Sequence, residues 1–433
     1  MAASRSAVLS SFIAITFATA ALAQAPRYNM TVIGATFNDA NNPNKQGKAL
    51  GLNNNGVVVG EWNTNRAFIW TPNASGGTLS FLPGLPDPGP ANIPVAGVRI
   101  NENNQIAGLH LRNVPCCGPV NQVAYWPTPT SEPILVGTLS PSNDGIGYVG
   151  GINVGGRVAG ESALNPYNRY NAYAYSQTQG ETALAQLNGA DQGNAAFGIN
   201  DSNVIVGQAF VGADRRAVRW NTNGTVTNLN TLPSGLVGGS AAHDINNSGV
   251  IVGYSFPLPT RAVIWQPGST TPVSIGALAP NHQSVANAIN NAGAVVGRSN
   301  DRGFLWTGAF GMIDLTNQVN NLQGHQIIEA TDINEAGQIT ALARFTLPGG
   351  APVTRAVFLN PVSGRVCDSI DFNNDGARFD PIDITAFLSR FSEGPCVPAG
   401  ASCNDVDFNN DGSIFDTTDI EVFLSVFSEG PCF

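Results

Sequence analysis

Gly51-Leu52-Asn53-Asn54-Asn55-Gly56-Val57-Val58-Val59-Gly60 is one of seven versions of a ten-residue phrase that recur 44 to 52 residues apart along the chain. The next two read Arg99-Ile100-Asn101-Glu102-Asn103-Asn104-Gln105-Ile106-Ala107-Gly108 and Gly151-Ile152-Asn153-Val154-Gly155-Gly156-Arg157-Val158-Ala159-Gly160. The others begin at Gly198, Asp244, Ala288 and Asp332. The third residue is always Asn: Asn53, Asn101, Asn153, Asn200, Asn246, Asn290 and Asn334. Self-similarity at this period is the mark of a solenoid or a propeller.

Working outward from the phrase, each copy predicts a short strand, a tight turn and a second strand. A hairpin loop made of a type I turn plus a left-handed residue needs Gly at its end. Gly stands there in five copies (Gly56, Gly156, Gly249, Gly293, Gly337), and Asn104 and Asn203 replace it in the other two. Asn is the next most tolerant residue at positive φ, so the exceptions obey the same geometry. In the fifth unit Ala242–Ile245 and Val250–Gly253 flank the turn, Arg261–Trp265 makes a third strand and Val273–Gly276 a fourth.

The third strand repeats as Arg66-Ala67-Phe68-Ile69-Trp70, Arg216-Ala217-Val218-Arg219-Trp220, Arg302-Gly303-Phe304-Leu305-Trp306 and Arg355-Ala356-Val357-Phe358-Leu359. Alternation puts the Arg, the middle apolar residue and the terminal aromatic on one face. Five of the six tryptophans take that last position. The repetition favours a core between units over an aromatic platform for sugars, and a structural role for the Arg over a ligand site. Four strands in each of seven units predict an all-β, seven-bladed β-propeller. The seventh unit stops at Leu359-Asn360 without a fourth strand, while an unassigned strand-like segment, Tyr28–Gly34, precedes the first. Pairing the two would close the ring and leave no free sheet edge. An open β-solenoid would not need the exchange.

Over roughly residues 28–360 the chain resembles the HAF-type extracellular repeat proteins of bacteria, whose consensus is close to A-x-x-I-N-x-x-G-x-x-V-G followed by R-A-F-x-W. The resemblance implies an exported protein and says little about activity.

Composition agrees with strands and turns. Charged residues are 12% of the chain, against roughly 25% in an average domain. Lys45 and Lys48 are the only lysines, and no basic patch suited to phosphate is present, which argues against nucleic-acid binding. Arg5, an apolar stretch from Ala7 to Leu22 and the small-residue site Ala21-Leu22-Ala23 predict a secretory signal peptide over residues 1–23, cleaved near Gln24. No later run approaches a membrane span, so the expected location is outside the cell or at its surface.

The acidity is concentrated in the tail. Residues 367–433 hold 13 Asp and Glu against 2 Arg, whereas residues 1–366 hold 17 acidic and 18 basic residues. With 361–366 as a short linker, residues 367–433 form a separate expected module. Asp371-Phe372-Asn373-Asn374-Asp375-Gly376 returns 36 residues later as Asp407-Phe408-Asn409-Asn410-Asp411-Gly412. Hard oxygens at alternate positions followed by Gly open a calcium loop of the EF-hand type. The expected ligands of the first ion are Asp371, Asn373, Asp375, the Ala377 carbonyl, Asp380 and Asp383. Those of the second are Asp407, Asn409, Asp411, the Ser413 carbonyl, Asp416 and Asp419. The later carboxylates fall at positions ten and thirteen rather than nine and twelve, so both loops carry the same one-residue insertion. Crowded carboxylates repel without a cation, which makes two Ca2+ ions the expected cofactors. An amphipathic helix follows each loop, with Ile384, Phe387, Leu388 and Phe391 on one face of the first and Ile420, Phe423, Leu424 and Phe427 on one face of the second.

This loop–helix pair resembles a type I dockerin, and more narrowly the cysteine-bracketed dockerin-like modules of planctomycete-type secreted proteins. The resemblance implies docking to a cohesin-like or other extracellular protein through Pro381 and Ile382 in one half and Thr417 and Thr418 in the other. Pro381-Ile382 departs from the hydroxyl pair of the family pattern. Cys367 and Cys403 each precede a loop by four residues, and Cys396 and Cys432 each follow its first Asp by 25. An even count in an exported chain predicts two disulfides, with three connectivities available. An antiparallel helix pair gives Cys367–Cys432 and Cys396–Cys403; pairing inside each repeat is the rival. Cys116-Cys117 is either a vicinal disulfide or a pair of thiols.

His110, His243, His282 and His325 occupy unrelated repeat positions, and no Gly-x-Ser-x-Gly or His-Glu-x-x-His arrangement is present. Glu102, Asp244, Asp332 and Glu335 lie near the repeated turns, but Asp244 and Asp332 share one repeat position, which points to structure. No catalytic residue is assigned. The expectation is a secreted, non-catalytic recognition or scaffold propeller held in an extracellular complex by its calcium-binding tail, with carbohydrate the candidate propeller ligand. The alternatives are a dockerin-tethered carbohydrate-active enzyme and a self-assembling surface protein.

Overall fold

Each phrase folds as its spacing predicts. In blade 1 the strands are Gly47–Leu52, Val58–Trp62, Arg66–Thr71 and Thr78–Phe81, joined as successive antiparallel hairpins. Seven such four-stranded sheets are present, so the protein is an all-β, seven-bladed β-propeller with its compact unit spanning Pro26–Ser363. The structure, a computed structural model, describes residues 25–362 apart from segments 35–46, 64–65, 86–92, 115–117, 141–145, 164–169, 191–192, 213, 234–237, 257–258, 323 and 347–351, and in the tail residues 381–391 and 420.

Blade 7 draws on both ends of the ring. Its first three strands are Gln326–Ile333, Ile339–Phe345 and Val353–Pro361, and its outer strand is Tyr28–Val32. The register pairs Tyr28 with Pro361 and Met30 with Leu359. The segment left over before the first phrase therefore closes the ring, which rules out the open solenoid.

Third strands bury both faces, because every blade lies between two others. In blade 1 Phe68 and Trp70 pack toward Ala356 and Phe358 of blade 7, while Ala67 and Ile69 pack toward Ile106, Ala124 and Trp126 of blade 2. The described core side chains form seven clusters, each spanning two adjacent blades.

The seven asparagines join these blades at the axis. Asn53 Nδ2 donates to the Asn101 carbonyl at 3.1 Å, Asn101 to Asn153 at 2.8 Å and Asn153 to Asn200 at 3.2 Å. Asn200 donates to Asn246 at 3.2 Å, Asn246 to Asn290 at 3.1 Å, Asn290 to Asn334 at 3.0 Å, and Asn334 returns to the Asn53 carbonyl at 2.9 Å. Each Oδ1 meanwhile accepts from the backbone N–H four residues on in its own turn. One planar amide thus fixes its turn and grips the next blade, and all seven are buried. The turn-closing residues take the left-handed conformation expected of them, including Asn104 (φ 58°) and Asn203 (φ 62°).

The phrase's last residue has a separate task. A Cβ on Gly60 would overlap the Lys48 carbonyl oxygen, and one on Gly253 would overlap that of Ala241. The inner strand can approach so closely because it carries a β-bulge there, between Ala49 and Gly51 in blade 1 and between Ala242 and Asp244 in blade 5. The same irregularity recurs at Gly150, Phe197 and Asn287, and blades 2 and 7 each have two, one of them at Val98 and Thr331. A bulge turns a side chain out of the regular alternation.

The asparagine ring makes a sharp stability test. Asn246→Ala strands the Val250 N–H and removes one of the two donors to the Asn290 carbonyl, and costs roughly 1–3 kcal/mol in equilibrium urea unfolding. Asn246→Asp is no milder, because a carboxylate cannot donate to the carbonyl.

Candidate functional site

The tryptophans belong to the core. Trp70, Trp126, Trp220 and Trp265 are buried. Three of these indole N–H groups donate to carbonyls of the preceding blade: Trp126 to Pro83 at 2.9 Å, Trp220 to Ala185 at 2.7 Å and Trp265 to Leu229 at 2.6 Å. Trp70 lies 5.2 Å from the ring of Phe358 in blade 7. They hold neighbouring blades together and offer no sugar platform. The repeated arginines are likewise engaged. Arg216 pairs with Asp214 at 2.9 Å and Arg302 with Asp314 at 2.6 Å, while Arg66 and Arg355 lie over Phe81 and Phe345.

Asp244 and Asp332 play the structural part that their shared position implies. Asp244 accepts from its own neighbour Ile245 N at 2.8 Å and from Ile289 N of blade 6 at 3.0 Å. Asp332 accepts from Ile333 N at 2.9 Å and from Leu52 N of blade 1 at 3.0 Å. Each carboxylate staples two inner strands. Burial pushes Asp244 up to about 7 and Asp332 up to about 6, against the backbone N–H bonds and the nearby Arg99 charge that favour ionisation.

Glu102 and Glu335 occupy the channel mouth beside the asparagine ring. Here the residue after each asparagine accepts from the corresponding backbone N–H of the preceding blade. Glu102 accepts from Asn54 N, Asp201 from Val154 N, Asn247 from Asp201 N, Asn291 from Asn247 N, Glu335 from Asn291 N and Asn54 from Glu335 N. Val154 has no side-chain acceptor, so this outer ring is broken once, between blades 2 and 3, where Asn103 Nδ2 donates to the Val154 carbonyl at 2.9 Å instead. The mouth encloses about 180 Å³. Burial raises the Glu102 pKa, with the Glu335 and Asp201 charges adding to it. Glu102 and Glu335 therefore hold neighbouring blades together, as Asp244 and Asp332 do.

Chemical variety gathers at the channel's other end. A cavity of about 260 Å³ is lined there by the bulge residues Leu50, Gly150, Phe197, His243, Asn287 and Thr331, joined by Arg99, Val149 and Glu329. Asn287 Nδ2 donates to Glu329 Oε1 at 3.0 Å and to the Ala330 carbonyl at 2.9 Å. Arg99 Nη1 donates to the carbonyls of Leu50 and Val98 at 2.9 and 3.0 Å. His243 Nδ1 lies 2.9 Å from the Ala286 carbonyl, which can only accept, so Nδ1 carries the proton and Nε2 is a bare acceptor. Burial lowers the His243 pKa to about 4, keeping the ring neutral. Phe197 meets it edge-on at 5.8 Å, and Tyr254 does so from the other side at 5.3 Å. Apart from His243, weighed only as a histidine, sequence reasoning passed over these bulge residues. Their signal was the position three residues before the repeated Asn, which is different in all seven copies.

In the tail, a helix spans Pro381–Phe391, where the first post-loop helix is expected. Pro381, Ile382 and Asp383 fall in its first turn. Ala386 and Phe387 are buried, but Leu388 is 48% exposed, so the expected apolar face is narrower than its spacing implies. The other expected ligands (Asp371, Asn373, Asp375, Ala377, Asp380, Asp407, Asn409, Asp411, Ser413, Asp416 and Asp419) lie outside the described residues. So do Thr417, Thr418, Cys367, Cys396, Cys403, Cys432 and the Cys116-Cys117 pair. Among the described residues, no helix is long and apolar enough to cross a membrane.

No family model matches the chain, and no curated protein matches it. Solved structures do resemble it. The RRP9 WD40 repeats share 11% identity at a TM-score of 0.45, covering 78% of this chain and 99% of theirs. Virginiamycin B lyase from Staphylococcus aureus shares 11% identity at a TM-score of 0.41, with the same coverages. TolB from Acinetobacter baumannii shares 13% identity at a TM-score of 0.36, covering 74% of this chain and 79% of its own. Each is a likeness of fold.

The channel carboxyls set a pH dependence. A carboxyl whose pKa rises on folding binds more protons in the native state, so its contribution to stability is full below the unfolded value and is lost as pH rises through the folded value. For Asp244 and Asp332 that window runs from the ordinary Asp value of 3.8 to about 7. Thermal unfolding midpoints of the propeller fall from pH 4 to pH 8, and Asp244→Asn with Asp332→Asn flattens the slope.

Proposed function

We propose that the protein is an exported, non-catalytic recognition or scaffold propeller that joins an extracellular or cell-surface complex through a dockerin-like calcium-binding tail. One observation carries the reading: two Asp-x-Asn-x-Asp-Gly loops, 36 residues apart, share the same insertion, the same following helix pattern and the same flanking cysteines. A helix over Pro381–Phe391 supports it, because the loop's last two carboxylates, Asp380 and Asp383, then bracket a helix start. The propeller supports the non-catalytic half. Its repeated aromatic, amide and carboxylate groups are bonded between blades, which suits a rigid platform.

The donor set fits calcium. Each loop offers carboxylate, amide and carbonyl oxygens without nitrogen or sulfur ligands, the hard donors that a large divalent cation prefers. Asp371, Asn373, Asp375, Asp380 and Asp383 with the Ala377 carbonyl hold one ion; Asp407, Asn409, Asp411, Asp416 and Asp419 with the Ser413 carbonyl hold the other. Bound calcium supplies the positive charge that lets these carboxylates crowd together. Docking then uses Pro381, Ile382, Thr417 and Thr418 against a cohesin-like partner, on a module pinned by two disulfides among Cys367, Cys396, Cys403 and Cys432.

Calorimetric titration of the full chain with calcium gives two sites. Asp375→Ala with Asp411→Ala removes both and leaves propeller unfolding unchanged. Unaltered binding in the double variant refutes the loop assignment, and robust hydrolysis of a polysaccharide by the wild-type chain refutes the non-catalytic reading.

A further inference from the structure

The inner strands repeat the Asn and the apolar residue before it, whereas the bulge position carries a different residue in every blade. At the bulge the seven residues are Leu50, Val98, Gly150, Phe197, His243, Asn287 and Thr331. Six of them line the 260 Å³ cavity at the channel end remote from the asparagine ring. The bulge gives that position its inward aim, and the Gly opposite gives the bulge its room.

The wall chemistry is lopsided toward acceptors. Asn287 spends both Nδ2 hydrogens on Glu329 and the Ala330 carbonyl, leaving its Oδ1 for an incoming donor. His243 presents Nε2 in the same sense. Glu329 adds carboxylate oxygen, with Arg298 3.8 Å away to balance its charge. Arg99 is the counterweight: Nη1 is held by two carbonyls, while Nη2 and Nε remain to donate. Asp244 and Asp332 act electrostatically on Arg99, so groups of both signs meet around the cavity. Phe197, Leu50 and Val149 add apolar residues to the lining. Several acceptors, one strong donor, charges of both signs and an aromatic residue match a ring bearing several hydroxyls. The volume lies below the roughly 300–1,000 Å³ of pockets for drug-sized ligands, which fits a single such ring.

We infer that this end of the channel binds the terminal residue of a neutral saccharide, with Phe197 against the ring and Asn287, His243, Glu329 and Arg99 on its hydroxyls. The inference rests on the reading of the propeller as a recognition domain and is independent of the calcium tail.

The test titrates the full chain, in calcium, with neutral gluco-, xylo-, manno- and galacto-oligosaccharides, and in parallel with oligomers of uronic acids and of amino sugars. Saturable binding of at least one neutral series is expected, weakened at least tenfold by Asn287→Ala and by Phe197→Ala. Val154→Ala, at the opposite mouth, leaves it unchanged. Urea unfolding of each variant shows that the ring is intact, and His243→Gln replaces any variant that fails to fold. The inference is overturned if no neutral series binds, if only a charged series binds, or if binding ignores the channel substitutions. Calcium titration of the same preparation separates the two ideas: two calcium sites without sugar binding sink this inference alone.

Discussion

The whole ring depends on seven buried carboxamides, each donating to the next blade and accepting within its own turn. No other side chain of that length can do both. Aspartate has the acceptor without the donor, and serine lacks the reach to do the two jobs at once. Each blade is thereby placed relative to its neighbour by polar contacts at the axis and by an apolar cluster farther out. The polar contacts matter for specificity as well as stability, because a blade displaced by one residue would bury an unpaired amide in a low-dielectric wall. Apolar clusters alone tolerate sliding; the amide chain does not.

Much of this was legible in the sequence, though partly under a different heading. The invariant Asn announced a turn, and the turn is there. Its grip on the next blade was hidden, because the partner of Asn53 stands 48 residues away and no single repeat contains both. Tyr28–Val32 could be assigned to the seventh sheet by counting strands, which requires only that sheets avoid free edges. Alternation in the third strand correctly separated Phe68 and Trp70 from Ala67 and Ile69. Alternation did not say that both sets would be buried, since that follows from stacking blades on either side.

The bulge residues escaped for a physical reason. Reading a strand by period two assumes that parity is kept from end to end, and a bulge breaks parity in the middle. His243 and Asp244 are neighbours, yet one lines the cavity at the bulges and the other staples two strands. The repeated Asn serves the ring, and the bulge position, different in all seven blades, is not held to that task. The carboxylates were placed with the structural set on the same logic, and the hydrogen bonds of Asp244 and Asp332 to adjacent blades agree with it. The calcium loops rest on spacing alone, since all their ligands except Asp383 lie outside the described residues.

The shared seventh blade also dictates an order of assembly. Six sheets are built from neighbouring hairpins and can form as the chain is made, whereas Tyr28–Val32 must wait for a partner more than three hundred residues downstream. Until Val353–Pro361 arrives, the protein is an open arc whose two end faces, among them the blade 1 face bearing Phe68 and Trp70, meet water instead of each other. The final zipping of five residue pairs removes those faces and the last bare strand in one event. A chain interrupted anywhere before that strand would keep them, and so would be marked as unfinished by its own surface.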